Sequence, residues 1–182
     1  MDAYDMQDQL DSVRMRLLQA LAPLPDEALL QSGVVGEWSI ADVLSHFINW
    51  EAELITGLMR IDQGKRPARL LQALEDRDAY NAKRVEEMKG RDLDRIFDDL
   101  RQVRQQLEGW LEEFSRSDLE STNRYKGLGG RPLWKLIASA SFEHEAEHLD
   151  EIETFSERWL DEENDGSISL TDIEVKENGH RQ

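Results

Sequence analysis

Apolar residues return every three to four positions in four long stretches of this chain, and no comparable stretch competes with period-two alternation. The first stretch, about Asp2 to Ala22, places Met6, Leu10, Val13, Leu17 and Leu21 on one helical face, and Pro23 and Pro25 end it. The second opens at Ser39, whose spacing to Asp42 resembles a capping box, and runs to about Gln63, with Gly64 as its stop. Its broad arc of Ile40, Val43, Leu44, Phe47, Ile48, Leu54, Ile55 and Leu58 predicts a central helix. A shorter, more polar helix is expected over Leu70 to Lys89, broken by Gly90. The third main helix spans about Asp92 to Phe114, with Asp92 as its cap and Leu93, Ile96, Phe97, Leu100, Val103, Leu107, Leu111 and Phe114 in its stripe. The fourth follows Pro132 and runs from about Leu133 to Glu162. Four amphipathic helices without competing strands predict an all-α four-helix bundle over residues 1–160.

Two other segments are polar or glycine-rich. Lys126-Gly127-Leu128-Gly129-Gly130-Arg131-Pro132 follows no strand and lacks the lysine and hydroxyl of a phosphate loop, so it reads as a connection. Residues 161–182 read as an acidic C-terminal tail, solvated or docked on the surface. Within the tail, Ser167-Ile168-Ser169-Leu170 alternates like a short strand with nothing to pair with. Its few apolar residues, Ile168, Leu170, Ile173 and Val175, cannot build a core of their own.

Composition narrows the function classes. The 182 residues carry a net charge of −17, which disfavours nucleic acid and anionic membrane surfaces as partners. There is no cysteine, so disulfides, thiolate nucleophiles and zinc–thiolate sites are excluded, and any thiol chemistry must use a thiol carried by a substrate. The N-terminus is acidic and lacks an apolar core like that of a signal peptide, and no apolar run approaches 18 residues; the expected location is the cytoplasm.

The candidate chemistry lies in Glu143-His144-Glu145-Ala146-Glu147-His148. At about 100° per residue, His144 and His148 share an apolar stripe with Leu133, Ile137, Ala140, Ile152, Phe155 and Trp159. Glu143, Glu147, Asp150, Glu153 and Glu157 point elsewhere. Two imidazoles aimed into a helical core need partners, and a metal ion or core hydrogen bonds both qualify. With Glu145 after the first histidine, the pair has the i, i+4 geometry of the zinc-protease helix. The further ligands of those families are not in view, and the helix reads as core rather than cleft, so that reading is set aside. His46 sits at the edge of the central helix's arc, beside Val43 and Trp50, whereas His180 reads as an exposed tail residue. Glu151, near the His148 face, is a candidate to orient a ligand imidazole or act as a base, or else to form a boundary salt bridge. Glu51 falls inside the central arc, either paired with an Arg or Lys of a neighbouring helix or near the metal. Trp38 and Trp50 suit the bundle core or a pocket wall.

Gly36-Glu37-Trp38-Ser39-Ile40-Ala41-Asp42-Val43-Leu44-Ser45-His46 resembles the entry to the second helix of the DinB/YfiT-like superfamily. Ser141-Phe142-Glu143-His144-Glu145-Ala146-Glu147-His148-Leu149-Asp150-Glu151-Ile152 resembles its fourth-helix signature. The resemblance covers roughly residues 1–160. It implies an up-and-down four-helix bundle with an unusual connection, often dimeric, with a divalent metal held by His46, His144 and His148. Relatives in that superfamily include hydrolases and transferases acting with small thiols, so a metal-dependent enzyme with a small-molecule substrate is implied; a non-catalytic metal-binding or degenerate bundle acting through protein contacts is the other reading. Three neutral imidazoles on two helices leave coordination positions open, the pattern of a catalytic site, and would make a bound water more acidic. Imidazole ligands suit zinc or nickel, and also iron or cobalt.

Overall fold

In the computed structural model, which describes residues 1–174, the chain is helical and four long elements form the bundle. Helix α1, Ala3–Leu21, starts at a reciprocal capping box between Asp2 and Asp5 and buries Met6, Leu10, Val13, Leu17 and Leu21, as the periodicity predicts. It also buries Arg14. After the short α2, Asp26–Leu29, the chain reaches Ser39, which forms the expected capping box with Asp42 and starts α3, Ile40–Asp62. Helix α3 is buried on most of its circumference and is the central element.

Helix α6, Leu93–Glu112, is capped by Asp92 and packs along α3. Asp62 and Trp110 line one shared surface hollow, so the two helices end together and run parallel. The chain must therefore retrace the length of α3, about 35 Å for 23 residues. It does so through α4, Ala68–Glu75, and α5, Arg77–Met88. This crossover matches the unusual connection implied by the resemblance. One helix was expected here, but Asp76 leaves helical geometry at φ −134° and ψ 72°, and its carboxylate accepts from the Ala79 amide to cap α5. At Gly57 an added Cβ would come within 2.6 Å of the Leu70 side chain, so glycine lets α4 lie close against α3.

The expected fourth helix is two. Helix α8, Leu133–Ala140, is separated from α9, Phe142–Glu174, by Ser141 at φ −136° and ψ −105°. The Ser141 hydroxyl donates to the Ile137 carbonyl at 2.7 Å, a local bond that competes with the helical ladder. Helix α9 then continues past Glu162 to Glu174, so Ser167–Leu170 is helical rather than the short strand its alternation suggested. Side-chain–backbone bonds Arg14–Leu100 and Arg104–Leu10 show that α1 and α6 are antiparallel, while Arg16–Glu153 and Ser156–Ala20 show that α1 and α9 are parallel. The glycine-rich segment is a connection, as expected: a 3-10 turn, Lys126–Leu128, followed by Gly129 and Gly130 at positive φ. The short α7, Arg116–Glu120, is capped by Ser115 and Asp118.

Candidate metal centre

Helix α3 presents His46 two turns after its cap, and α9 presents His144 and His148 one turn apart. The structure brings all three together. One ligand atom from each lies within 4.8 Å of the others. The Nε2 atoms of His46 and His144 are 2.9 Å apart, and the ring centroids of the three pairs are separated by 4.6, 5.5 and 5.3 Å. His46 and His144 are 1% and 3% exposed, and His148 is half-buried, so the cluster meets solvent on the His148 side.

Aromatic side chains enclose the deep pair. Trp38 packs against His46 with centroids 5.0 Å apart, and Phe47 lies 6.0 Å from His144. Trp50 lies 5.2 Å from His144 and donates its indole N–H to Asn81 at 3.0 Å. Trp50 is thus both core and site wall, with Tyr80 packed behind it in a tilted arrangement at 4.8 Å.

This enclosure keeps the imidazoles neutral. Burial pushes the His46 pKa down to about 3, helped by His148 and Arg77. It pushes His144 down to about 2, helped by His46, His148 and Arg77. Burial also lowers His148, against the opposing pull of Glu147 and Glu151. The donor set suits a divalent ion, since neutral imidazoles offer lone pairs without giving up a proton. At most one proton can lie between the two Nε2 atoms of a neutral pair, and the buried His46 Nδ1 has no hydrogen-bond partner. The hydrogen-bonded-core reading therefore leaves part of the cluster unsatisfied, and the residues fit a metal.

Folded-state pKa values below the ordinary 6.5 mean that the unfolded chain binds more protons than the folded one from about pH 6.5 down to about 3. The stabilisation by neutral His46 and His144 is present above pH 6.5 and is lost as pH falls through that window. Each contributes a slope of up to about 1.4 kcal/mol per pH unit. The metal-free protein is therefore expected to lose more stability between pH 7 and pH 5 than the His46→Gln/His144→Gln variant. Equal losses in urea titrations of the two proteins would contradict the assignment.

The remaining candidates separate clearly. Glu151 is exposed and borders a hollow of about 310 Å³ with Val34 and Arg158, and its charge raises His148's affinity for a proton. Glu51 meets the expected arginines: its Oε1 accepts from Arg104 Nε at 2.9 Å and from Arg14 Nη2 at 3.2 Å. His180 lies outside the described residues. Glu145, next to His144 in sequence, is turned away from the imidazoles into a bidentate pair with Arg14 at 2.8 and 3.0 Å and a bond from Arg104 at 2.7 Å. It is 1% exposed and fully engaged, so it lacks the freedom of a zinc-protease base.

Sequence reasoning missed Arg77. Its guanidinium lies 5.8 Å from the Trp50 ring centroid, donates to Glu147 and to the Ser139 carbonyl, and depresses all three histidine pKa values. It lies on the polar α5, whose weak periodicity carried no sign of the site.

Among the described residues no helix is long and apolar enough to cross a membrane. Neither the comparison with curated proteins nor that with solved structures gives a significant match. The sequence profile of the DinB superfamily matches residues 9–152, which span α1 to α9 and include all three histidines. The chain belongs to the DinB superfamily.

Proposed function

We propose that the protein is a divalent-metal-dependent enzyme, a hydrolase or a small-thiol-dependent transferase, with His46, His144 and His148 as ligands. The observation that carries this reading is the convergence of three neutral imidazoles from two helices with no carboxylate among them. Such a set leaves the ion's charge uncompensated and positions free for substrate. The ion, zinc or nickel first and iron or cobalt next, supplies a Lewis acid that makes a bound water or thiol more acidic. Trp38, Phe47 and Trp50 keep water from the deep side, so a small-molecule substrate approaches past His148. There Glu151 is the candidate to orient that imidazole or to take a proton. On this reading the protein works in the cytoplasm, as a homodimer or a monomer.

A second reading is a non-catalytic metal-binding bundle acting through protein contacts; the near-complete burial of His46 and His144 favours it. Metal analysis of protein purified without a histidine tag, followed by a panel of activated esters and small-thiol transfer substrates, separates the two. The enzyme reading expects about one ion per chain and turnover that disappears with chelator. A stoichiometric ion without turnover on either substrate class favours the second reading, and protein that cannot be loaded with any divalent ion removes both metal readings. The same loading measured on a chain ended at Leu160 checks whether residues 161–182 lie outside the functional unit.

A further inference from the structure

His46 is not the only residue with an unsatisfied polar group on its face of α3. Among the described residues, buried side-chain atoms without a hydrogen-bond partner include His46 Nδ1, Asn49 Nδ2 and Glu53 Oε1. These three positions fall at i, i+3 and i+7, a single stripe of the helix. Helices α4 and α5 cover α3 along the crossover, and buried groups left unmatched in a folded protein call for a ligand or a water.

Glu53 marks the far end of this stripe, and a hollow of about 280 Å³ opens there between α3, α4 and α5. The Glu53 side chain is 5% exposed. Its Oε2 accepts from Arg69 at 3.0 Å and lies 3.9 Å from Arg84, whereas Oε1 has no partner. Arg69, Lys83 and Arg84 line the hollow, together with Tyr80 and Asp76. Arg84 is paired with Glu87 at 2.8 Å with its guanidinium 5.6 Å from the Tyr80 ring centroid, Asp76 accepts the Ala79 amide, and exposed Lys83 has no ion-pair partner among the described residues. In a chain of net charge −17, the hollow thus joins three cations on its walls to one buried, half-matched carboxylate.

We propose that this hollow binds a small zwitterion of amino-acid type, its ammonium donating to Glu53 Oε1 and its anionic group meeting Lys83 and Arg84. A lone anion would leave Glu53 Oε1 unmatched, and a lone amine would leave Lys83 unmatched, so both charges are needed for a full set of partners. The volume lies just below the range of about 300–1,000 Å³ usual for ligand pockets and suits a molecule of this size. The tilted Trp50–Tyr80 pair stands between the hollow and the imidazoles, and the Tyr80 hydroxyl donates to the Asn49 carbonyl at 3.2 Å. The hollow is therefore a separate site, and its ligand binds whether or not the histidines hold an ion.

The test is nuclear magnetic resonance titration of the full chain with L-alanine and L-glutamine, and with propionate, propylamine and inorganic phosphate as single-charge probes. The same titrations on His148→Ala keep the outcome independent of the metal reading. The amino acids are expected to bind with Kd about 1 mM, shifting amides of residues 49–53 and 69–84, and the single-charge probes at least about tenfold more weakly. Glu53→Gln weakens binding by roughly tenfold or more. Lys83→Ala, an exposed change that leaves the fold intact, weakens it roughly threefold. Absence of saturable shifts by about 20 mM amino acid overturns the proposal. So does propionate or phosphate binding as well as alanine with no response to Glu53→Gln, which would mark an anion site only.

Discussion

Glu145→Gln is expected to lower stability by about 3–5 kcal/mol, a fall in Tm of roughly 10 °C for a domain of this size. Glu145 closes a quartet with Arg14, Glu51 and Arg104, drawn from all four main helices and each 8% exposed or less. Two guanidiniums and two carboxylates balance in charge. Arg14 and Arg104 spend their remaining donors on the carbonyls of Leu100 and Leu10. Burial opposes the charge on Arg104, and Glu51 and Glu145 more than offset it. Neutralising one carboxylate leaves an uncompensated buried cation, the expensive case for ions in a core. Replacing the whole quartet, as Arg14→Met/Glu51→Leu/Arg104→Met/Glu145→Leu, is expected to keep most of the stability, because apolar packing then replaces the pairs. Thermal and urea unfolding of both variants checks the pair of outcomes. A Glu145→Gln loss below about 1 kcal/mol would show that water already screens the quartet.

The bundle was legible because its helices advertise themselves. Ser39 with Asp42 and Asp92 with Arg95 cap where the pattern placed caps, and the stripes of α1, α3 and α6 are the buried faces. The breaks were not legible. Ser141 and Asp76 leave the helix through local side-chain bonds that any serine or aspartate can form, and periodicity carries no mark of which ones do. The histidine cluster was readable in part. His144 and His148 share a turn, but His46 lies 98 residues away from His144, and only the Trp38-to-His46 motif joined it to them. The quartet left a signal that was half read. Arg14 stands between Leu10 and Leu17, and Arg104 between Leu100 and Leu107, each inside its helix's apolar stripe. Charges in such positions must find one another. Glu51 was recognised in this way, but Glu145 was hidden by its histidine neighbours.

His148→Ala is expected to remove most of the bound metal while leaving the helices folded. His148 is the half-buried member of the cluster, and its ring contacts are Phe47 at 5.7 Å and the other two imidazoles. Truncating it therefore opens little core, and the metal-free variant should stay within about 1 kcal/mol of the metal-free parent. The apolar core formed by α1, α3, α6, α8 and α9 is expected to hold the bundle without help from an ion. On the proposed ligand set, the metal loses a direct ligand. Affinity should fall by more than the roughly 10–100-fold seen when only an outer partner of a ligand is removed. Glu147→Gln provides the comparison, since it strips Arg77 of its carboxylate partner and touches no ligand atom. Loading titrations with zinc and nickel, read beside circular dichroism, give both numbers for each variant. Unchanged loading of His148→Ala would remove that residue from the site. Collapse of the helical signal on chelation would instead make the ion a structural part of the bundle, as in domains that fold only with metal.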